Sequence, residues 1–148
     1  MFKNKKLLIT GGTGSFGNAV LDRFLDSDIK EIRIFSRDEK KQHDMRVLYN
    51  NPKIKFYIGD VRDEGSLRDA MIGVDYVFHL AAESRIQPTL ERPQDACVTN
   101  FVGTCNVLQA SRTHNVKRLM YSSTSSGYGL KNEIPLKEDM DRDCLNPY

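Results

Sequence analysis

Residues 9–20 read ITGGTGSFGNAV, and their glycine spacing is the first feature of the chain with chemical content. Gly11, Gly14 and Gly17 fit TGxxGxxG, while Gly12, Gly14 and Gly17 fit GxGxxG, so spacing alone does not choose between the two patterns. Both demand the same physics: a tight turn after a strand, a backbone bare enough to approach a pyrophosphate, and a helix whose N-terminus faces the anion. No Lys-Ser or Lys-Thr pair follows the last glycine, which argues against a P-loop. The stretch therefore points to dinucleotide binding.

Two further stretches bear on the same ligand. Where an acid ordinarily holds a ribose 2′-hydroxyl, the chain reads Phe35-Ser36-Arg37-Asp38. A small hydroxyl followed by a guanidinium suits a 2′-phosphate, which favours NADP. The alternative is that Arg37 is a solvated loop charge and Asp38 a helix cap. GDVRD at 59–63 offers Asp60 to an adenine amino group with Val61 beside the ring, although Gly-Asp alone is also a turn.

These residues need a scaffold, and the apolar runs supply one. Residues 7–10, 31–35, 54–59, 75–81 and 118–123 read as five β-strands, apolar enough to be buried on both faces. Phe16, Val20, Leu21, Phe24 and Leu25 recur at helical spacing between the first two. Val98, Phe101, Val102, Cys105 and Leu108 do so before the last, giving a helix over 95–113 whose stripe suits either a core or an oligomer face. Weaker helices span 39–49 and 63–71, with Asp38 and Asp63 as N-caps and Gly73 as a stop. Strict alternation of strand and helix predicts an α/β fold, a doubly wound parallel sheet of Rossmann type. After residue 122 the chain turns Ser-, Gly- and Pro-rich, which predicts a long loop over the carboxyl edge of the sheet.

Composition narrows the class of partner. The 148 residues suffice for one domain, and a domain of that size buries roughly 70% of its unfolded surface. A net charge of +2 supplies no large field for nucleic acid or an acidic membrane. No stretch approaches the ~20 apolar residues of a membrane span. Three cysteines without CxxC spacing read as reduced thiols in a cytoplasm. His43, His79 and His114 lack ligand spacing, so no metal site is expected, and His79 falls at a strand end.

Taken together, TGGTGSFG at 10–17, GDVRD at 59–63, HLAAES at 79–84, Asn100 in TNFVGT, SSTSSGYG at 122–129 and NPY at 146–148 resemble the extended short-chain dehydrogenase/reductases. More narrowly, they resemble the NAD-dependent epimerase/dehydratases of nucleotide sugars. The resemblance covers the whole chain but only the first half of a typical member. It implies cofactor contacts at Gly11, Gly14, Ser15, Phe16 and Gly17, a path along the cofactor for Leu80, Ala81, Ala82 and Ser84, and bracing of these loops by Asn100. It further implies that Thr124 hydrogen-bonds the reacting sugar hydroxyl and that Tyr148 is the acid/base. Residues 1–78 look most like polysaccharide-biosynthesis dehydratases favouring NADP; from residue 79 the chain looks like UDP-hexose 4-epimerases that keep NAD.

Dehydration across C5 and C6 needs an additional acid/base pair, which sugar 4,6-dehydratases commonly place directly after the catalytic Thr. Ser125 and Ser126 stand there and do not exchange protons near neutral pH, which favours epimerisation of a UDP-sugar through a 4-keto intermediate. The acid/base motif of the resembled family is YxxxK, and the 148 residues end at its Tyr148. The resemblance places the lysine, the last strands and a sugar-binding domain outside these residues. Without that positive charge, a tyrosine near pKa 10 is a poor base. The expectation is a partial dinucleotide-binding domain over 1–148 that binds cofactor without turning over sugar, taken from a parent enzyme that pairs as a homodimer.

Overall fold

The computed structural model describes residues 2–147. Five strands, β1 (Lys6–Thr10), β2 (Glu31–Ser36), β3 (Ile54–Ile58), β4 (Tyr76–His79) and β5 (Arg118–Tyr121), form one sheet in the order β3-β2-β1-β4-β5. Every pairing is parallel. Helices α1 (Ser15–Leu25), α2 (Glu39–Tyr49) and α3 (Glu64–Met71) connect the first four strands. The last crossover carries α4 (Ile86–Glu91), α5 (Pro93–Cys97), a π turn over Val98–Val102 and α6 (Gly103–Thr113). The order reverses between β1 and β4, where a doubly wound sheet opens a crevice at its carboxyl edge.

The period-2 geometry of a strand divides the core. Leu7 and Ile9 of β1 face a cluster with Val20, Leu21, Ile32, Ile34 and Met45. Leu8 faces the other side, with Phe35, Leu67, Met71, Val77 and Val107. Burial on both faces holds for β1, β2 and much of β4, but not for β3 or β5. Those two lie at the edges of the described sheet, so Ile58 and Tyr121 remain more than half exposed.

Local signals set the helix boundaries. Asp38 accepts the backbone N–H of Lys41 at 2.9 Å and opens α2, and Asp63 accepts that of Gly65 at 2.9 Å and opens α3. α3 ends at Met71, two residues before Gly73. Buried Arg33 donates to the Ala70 carbonyl at 2.8 Å, placing a cation at the C-terminus of α3 while Glu31 balances it at 2.6 Å.

The helix expected over 95–113 is interrupted by the π turn and preceded by α4, which the apolar spacing does not reveal. The apolar stripe, open in the sequence to either a core or an oligomer face, does not face the sheet. Ala96, Gly103, Val107 and Ala110 are buried, whereas Val98, Phe101, Val102, Cys105 and Leu108 are exposed. Small residues face the sheet because Gly103 packs on Val61, where a β-carbon would lie 2.8 Å from Val61 Cγ2. Beyond β5 the chain forms a 3-10 turn at Ser125–Tyr128, tied back where Asp143 N donates to the Gly127 carbonyl at 2.9 Å. No described helix is long and apolar enough to cross a membrane.

Candidate functional site

The strand-to-helix turn after β1 is compressed against the segment after β4. Gly11 has φ +66°, and a β-carbon there would lie 2.8 Å from the Ala81 nitrogen. At Gly17 a β-carbon would stand 2.5 Å from the Gly12 carbonyl oxygen, so α1 rests directly on the turn. Gly14 is the N-cap of α1 and offers no side-chain acceptor, leaving the first-turn N–H groups uncapped by any side chain.

This turn forms one wall of a cleft of ≈ 540 Å³ across the carboxyl ends of β1, β2 and β4. Gly11, Gly14, Ser36, Arg37, Asp60, Val61, Leu80, Ala81, Ala82 and Ser84 all line it. Ser15 and Phe16 lie exposed in the first turn of α1 and do not line the cleft, and Gly17 is buried beneath it. A second lobe of ≈ 310 Å³ shares Leu80, Ala81, Ala82 and Ser84 and extends past Asn100, Tyr121 and Thr124 to Pro147. Thr124 Oγ1 accepts the Ser126 N–H at 3.1 Å, which leaves its hydroxyl proton available to a ligand. Tyr148 lies outside the described residues.

The charged end of the cleft is organised around Asp60. Arg62 donates to Asp60 Oδ2 at 2.6 Å, and this hydrogen bond is the main influence holding the Asp60 carboxyl below the usual carboxylate range. Arg37 stands farther off, with Nη1 3.6 Å from Asp60 Oδ2 and the side chain 60% exposed. Ser36 Oγ lies 2.8 Å from Thr13 Oγ1 and accepts the Asp38 N–H at 3.2 Å. Both readings of Asp38 and Arg37 thus have a basis: Asp38 caps α2, and Arg37 lines the cleft.

Several participants were not singled out from the sequence. Lys41 lines the cleft, although the charge run at 37–41 otherwise reads as a solvated helix start. Thr13 and Thr99 also line the cleft, and no spacing rule identifies them. Asn100, in the π turn, accepts the Glu83 N–H at 2.8 Å and donates to the Glu83 carbonyl at 3.1 Å, fastening the loop after β4. No cluster of metal-ligating side chains occurs among the described residues.

The residues present suit a nicotinamide dinucleotide: uncapped backbone amides for a pyrophosphate, a cation and hydroxyls near a ribose position, and an apolar Val61 wall.

Comparison with known proteins agrees with this geometry. The chain matches the model of the family described as "Polysaccharide biosynthesis protein" over residues 7–127, across both stretches whose resemblances diverge. It is 62% identical over 129 residues to a UDP-glucose 4-epimerase of Rickettsia bellii, covering 84% of this chain and 38% of the relative. Among solved structures, a UDP-N-acetylglucosamine 4-epimerase from Methanobrevibacter ruminantium, in complex with UDP-N-acetylmuramic acid, superposes with a TM-score of 0.88 at 27% identity. That match covers 99% of this chain and 46% of the other. A dTDP-glucose 4,6-dehydratase from Streptomyces venezuelae with NAD bound gives 0.87 at 27% identity, over 97% of this chain and 47% of the other. The chain thus spans less than half the length of each. With the family model matched over most of its length, the chain belongs to the polysaccharide biosynthesis protein family, in the epimerase/dehydratase group of extended short-chain dehydrogenase/reductases.

Proposed function

We propose that these residues form the cofactor-binding part of a nucleotide-sugar 4-epimerase acting on a UDP-hexose, with NAD or NADP held in the larger lobe. One observation carries the reading. The glycine turn, the Arg37–Asp60 end and Thr124 open onto two lobes that share the Leu80–Ser84 segment, so dinucleotide and sugar sites are contiguous. The amides at Gly14 and the start of α1 hold the pyrophosphate, with Ser15 and Phe16 at its rim and Gly17 letting the helix approach. Ser36 and Arg37 meet the adenosine ribose or its 2′-phosphate, and Asp60 and Val61 meet adenine. Leu80, Ala81, Ala82 and Ser84 border the cofactor, and Asn100 keeps them in place through Glu83.

When bound, the oxidised nicotinamide supplies the acceptor, and later the donor, of a hydride. Thr124 donates a hydrogen bond that orients the hydroxyl at C4 of the sugar, and Tyr148 takes that hydroxyl's proton and later returns it. Ser125 and Ser126, which begin the 3-10 turn after Thr124, offer no acid/base pair for eliminating water. That favours epimerisation over the alternative, a 4,6-dehydratase. A dinucleotide-binding module without chemistry is the remaining reading.

A homodimer is part of the proposal, paired through the exposed Val98, Phe101, Val102, Cys105 and Leu108. So is a cytoplasmic setting, which suits three exposed free thiols. The test is to incubate the full-length protein with UDP-glucose and with UDP-N-acetylglucosamine and resolve the products. A C4 epimer is the expected result; a 4-keto-6-deoxy sugar establishes the dehydratase, and no product despite dinucleotide binding establishes the module.

A further inference from the structure

His79, the last residue of β4, is 1% exposed, and its ring joins the ends of three elements. Its Nδ1 lies 2.7 Å from Oγ1 of Thr10, the last residue of β1. Its Nε2 lies 2.9 Å from Oγ1 of Thr104, in the first turn of α6. Protons can be assigned along this chain by counting donors. Thr10 Oγ1 is approached by the N–H of Leu80 at 3.2 Å, shared with the Thr10 carbonyl, and by the N–H of Ala81 at 3.3 Å. Backbone N–H groups only donate, so both lone pairs of the hydroxyl are engaged. Its one proton then points to His79, which makes Nδ1 an acceptor.

A ring accepting at Nδ1 is neutral and carries its proton on Nε2, from which it donates to Thr104. Thr104 in turn donates to the Asn100 carbonyl at 2.6 Å, and the Asn100 side chain holds both backbone groups of Glu83. The chain therefore starts at Leu80 and Ala81 and returns to the same loop at Glu83. Burial pushes the imidazole pKa down to about 4, which keeps the ring neutral through the physiological range.

Resting on the dinucleotide reading of the cleft, we infer that His79 is a positioning residue, fixed as its neutral Nε2–H tautomer, that sets the Leu80–Ser84 loop against the cofactor. It meets no cofactor atom itself. A single direction of donation runs from β1 to the π turn, so the loop has one favoured geometry rather than several. Both lobes of the cleft share that loop, and His79 borders the smaller one.

The test uses the full-length protein labelled with 15N in histidine. Imidazole NMR at neutral pH reads the tautomer of His79, assigned by its loss in His79→Phe, and the expected signature is a neutral ring protonated at Nε2. Calorimetric titration with NAD and NADP then compares Thr10→Val and Thr10→Ser. Loss of the hydroxyl in Thr10→Val weakens dinucleotide binding about tenfold, while Thr10→Ser, which keeps it, stays within about twofold of wild type. His79→Phe follows Thr10→Val. An Nδ1–H or charged ring, or wild-type affinity in Thr10→Val, overturns the assignment. Failure of the wild-type protein to bind either dinucleotide instead overturns the reading of the cleft on which the assignment rests.

Discussion

Arg37→Ala is the most informative single perturbation of the cofactor site. In the structure Arg37 leans on Asp60 across 3.6 Å with its side chain 60% exposed. At that distance in a water-like dielectric the attraction is about 1 kcal/mol. A 2′-phosphate carries about twice the charge of a carboxylate and presents more acceptor oxygens, so it competes well for the guanidinium. Asp60 is not stranded when Arg37 turns away, because Arg62 holds it at 2.6 Å. With the discount that solvent exposure imposes, the phosphate contact contributes about 1–2 kcal/mol. Arg37→Ala should therefore weaken NADP binding about tenfold and NAD binding by less than about twofold, read by calorimetric titration. Because the cation is exposed, the difference should shrink in 0.5 M salt, roughly five times the ionic strength at which screening already acts over ~10 Å. Equal loss for both dinucleotides, or selectivity indifferent to salt, refutes the assignment of Arg37 to a 2′-phosphate.

Three further outcomes follow from the geometry. The imidazole of His79 titrates near 4 in the fold against 6.5 ordinarily, so between those values the unfolded chain binds a proton that the folded chain refuses. Stability falls as pH drops through this window, by up to about 3 kcal/mol. Its hydrogen-bond partners, Thr10 on β1 and Thr104 on α6, are uncharged hydroxyls, and the neighbouring Tyr121 ring on β5 lies tilted with its centroid 5.9 Å away. Urea titrations at pH 7 and 4.5 should show this loss in the wild type and a smaller one in His79→Asn; parallel losses would exclude His79 as the source. Gly17→Ala puts a methyl group 2.5 Å from the Gly12 carbonyl oxygen, against backbone that has no rotamer to yield. It should cost about 1–3 kcal/mol of stability, seen as a lower Tm, together with weaker dinucleotide binding. Phe101 is 70% exposed, and if it contributes to pairing, Phe101→Asp should reduce the sedimenting mass of the full-length protein to that of a monomer with little change in Tm.

Legibility in the sequence followed interaction range. The glycine turn, the Asp38 and Asp63 caps and the alternation of strand with helix depend on residues within one turn of each other, and each appears where local chemistry requires it. Parallel pairing and the reversal between β1 and β4 follow from that alternation, since a right-handed crossover leaves few other arrangements. The stripe over 98–108 suits a core or an oligomer face equally, because apolar character at helical spacing identifies a face without saying what covers it, and the structure leaves it exposed. The sheet instead accepted the side with Gly103 and Ala110, where small side chains permit close approach to Val61 and the core.

The sequence by itself determined a Rossmann-type sheet with a glycine turn between β1 and α1, because those features are written in local spacing and propensity. Only the tertiary structure joined Thr10 to His79 across 69 positions and Asn100 to Glu83, and brought Lys41 to the cleft wall. A hydrogen bond between the ends of different elements is specified by how those elements pack, and its donor and acceptor carry no mark of one another along the chain.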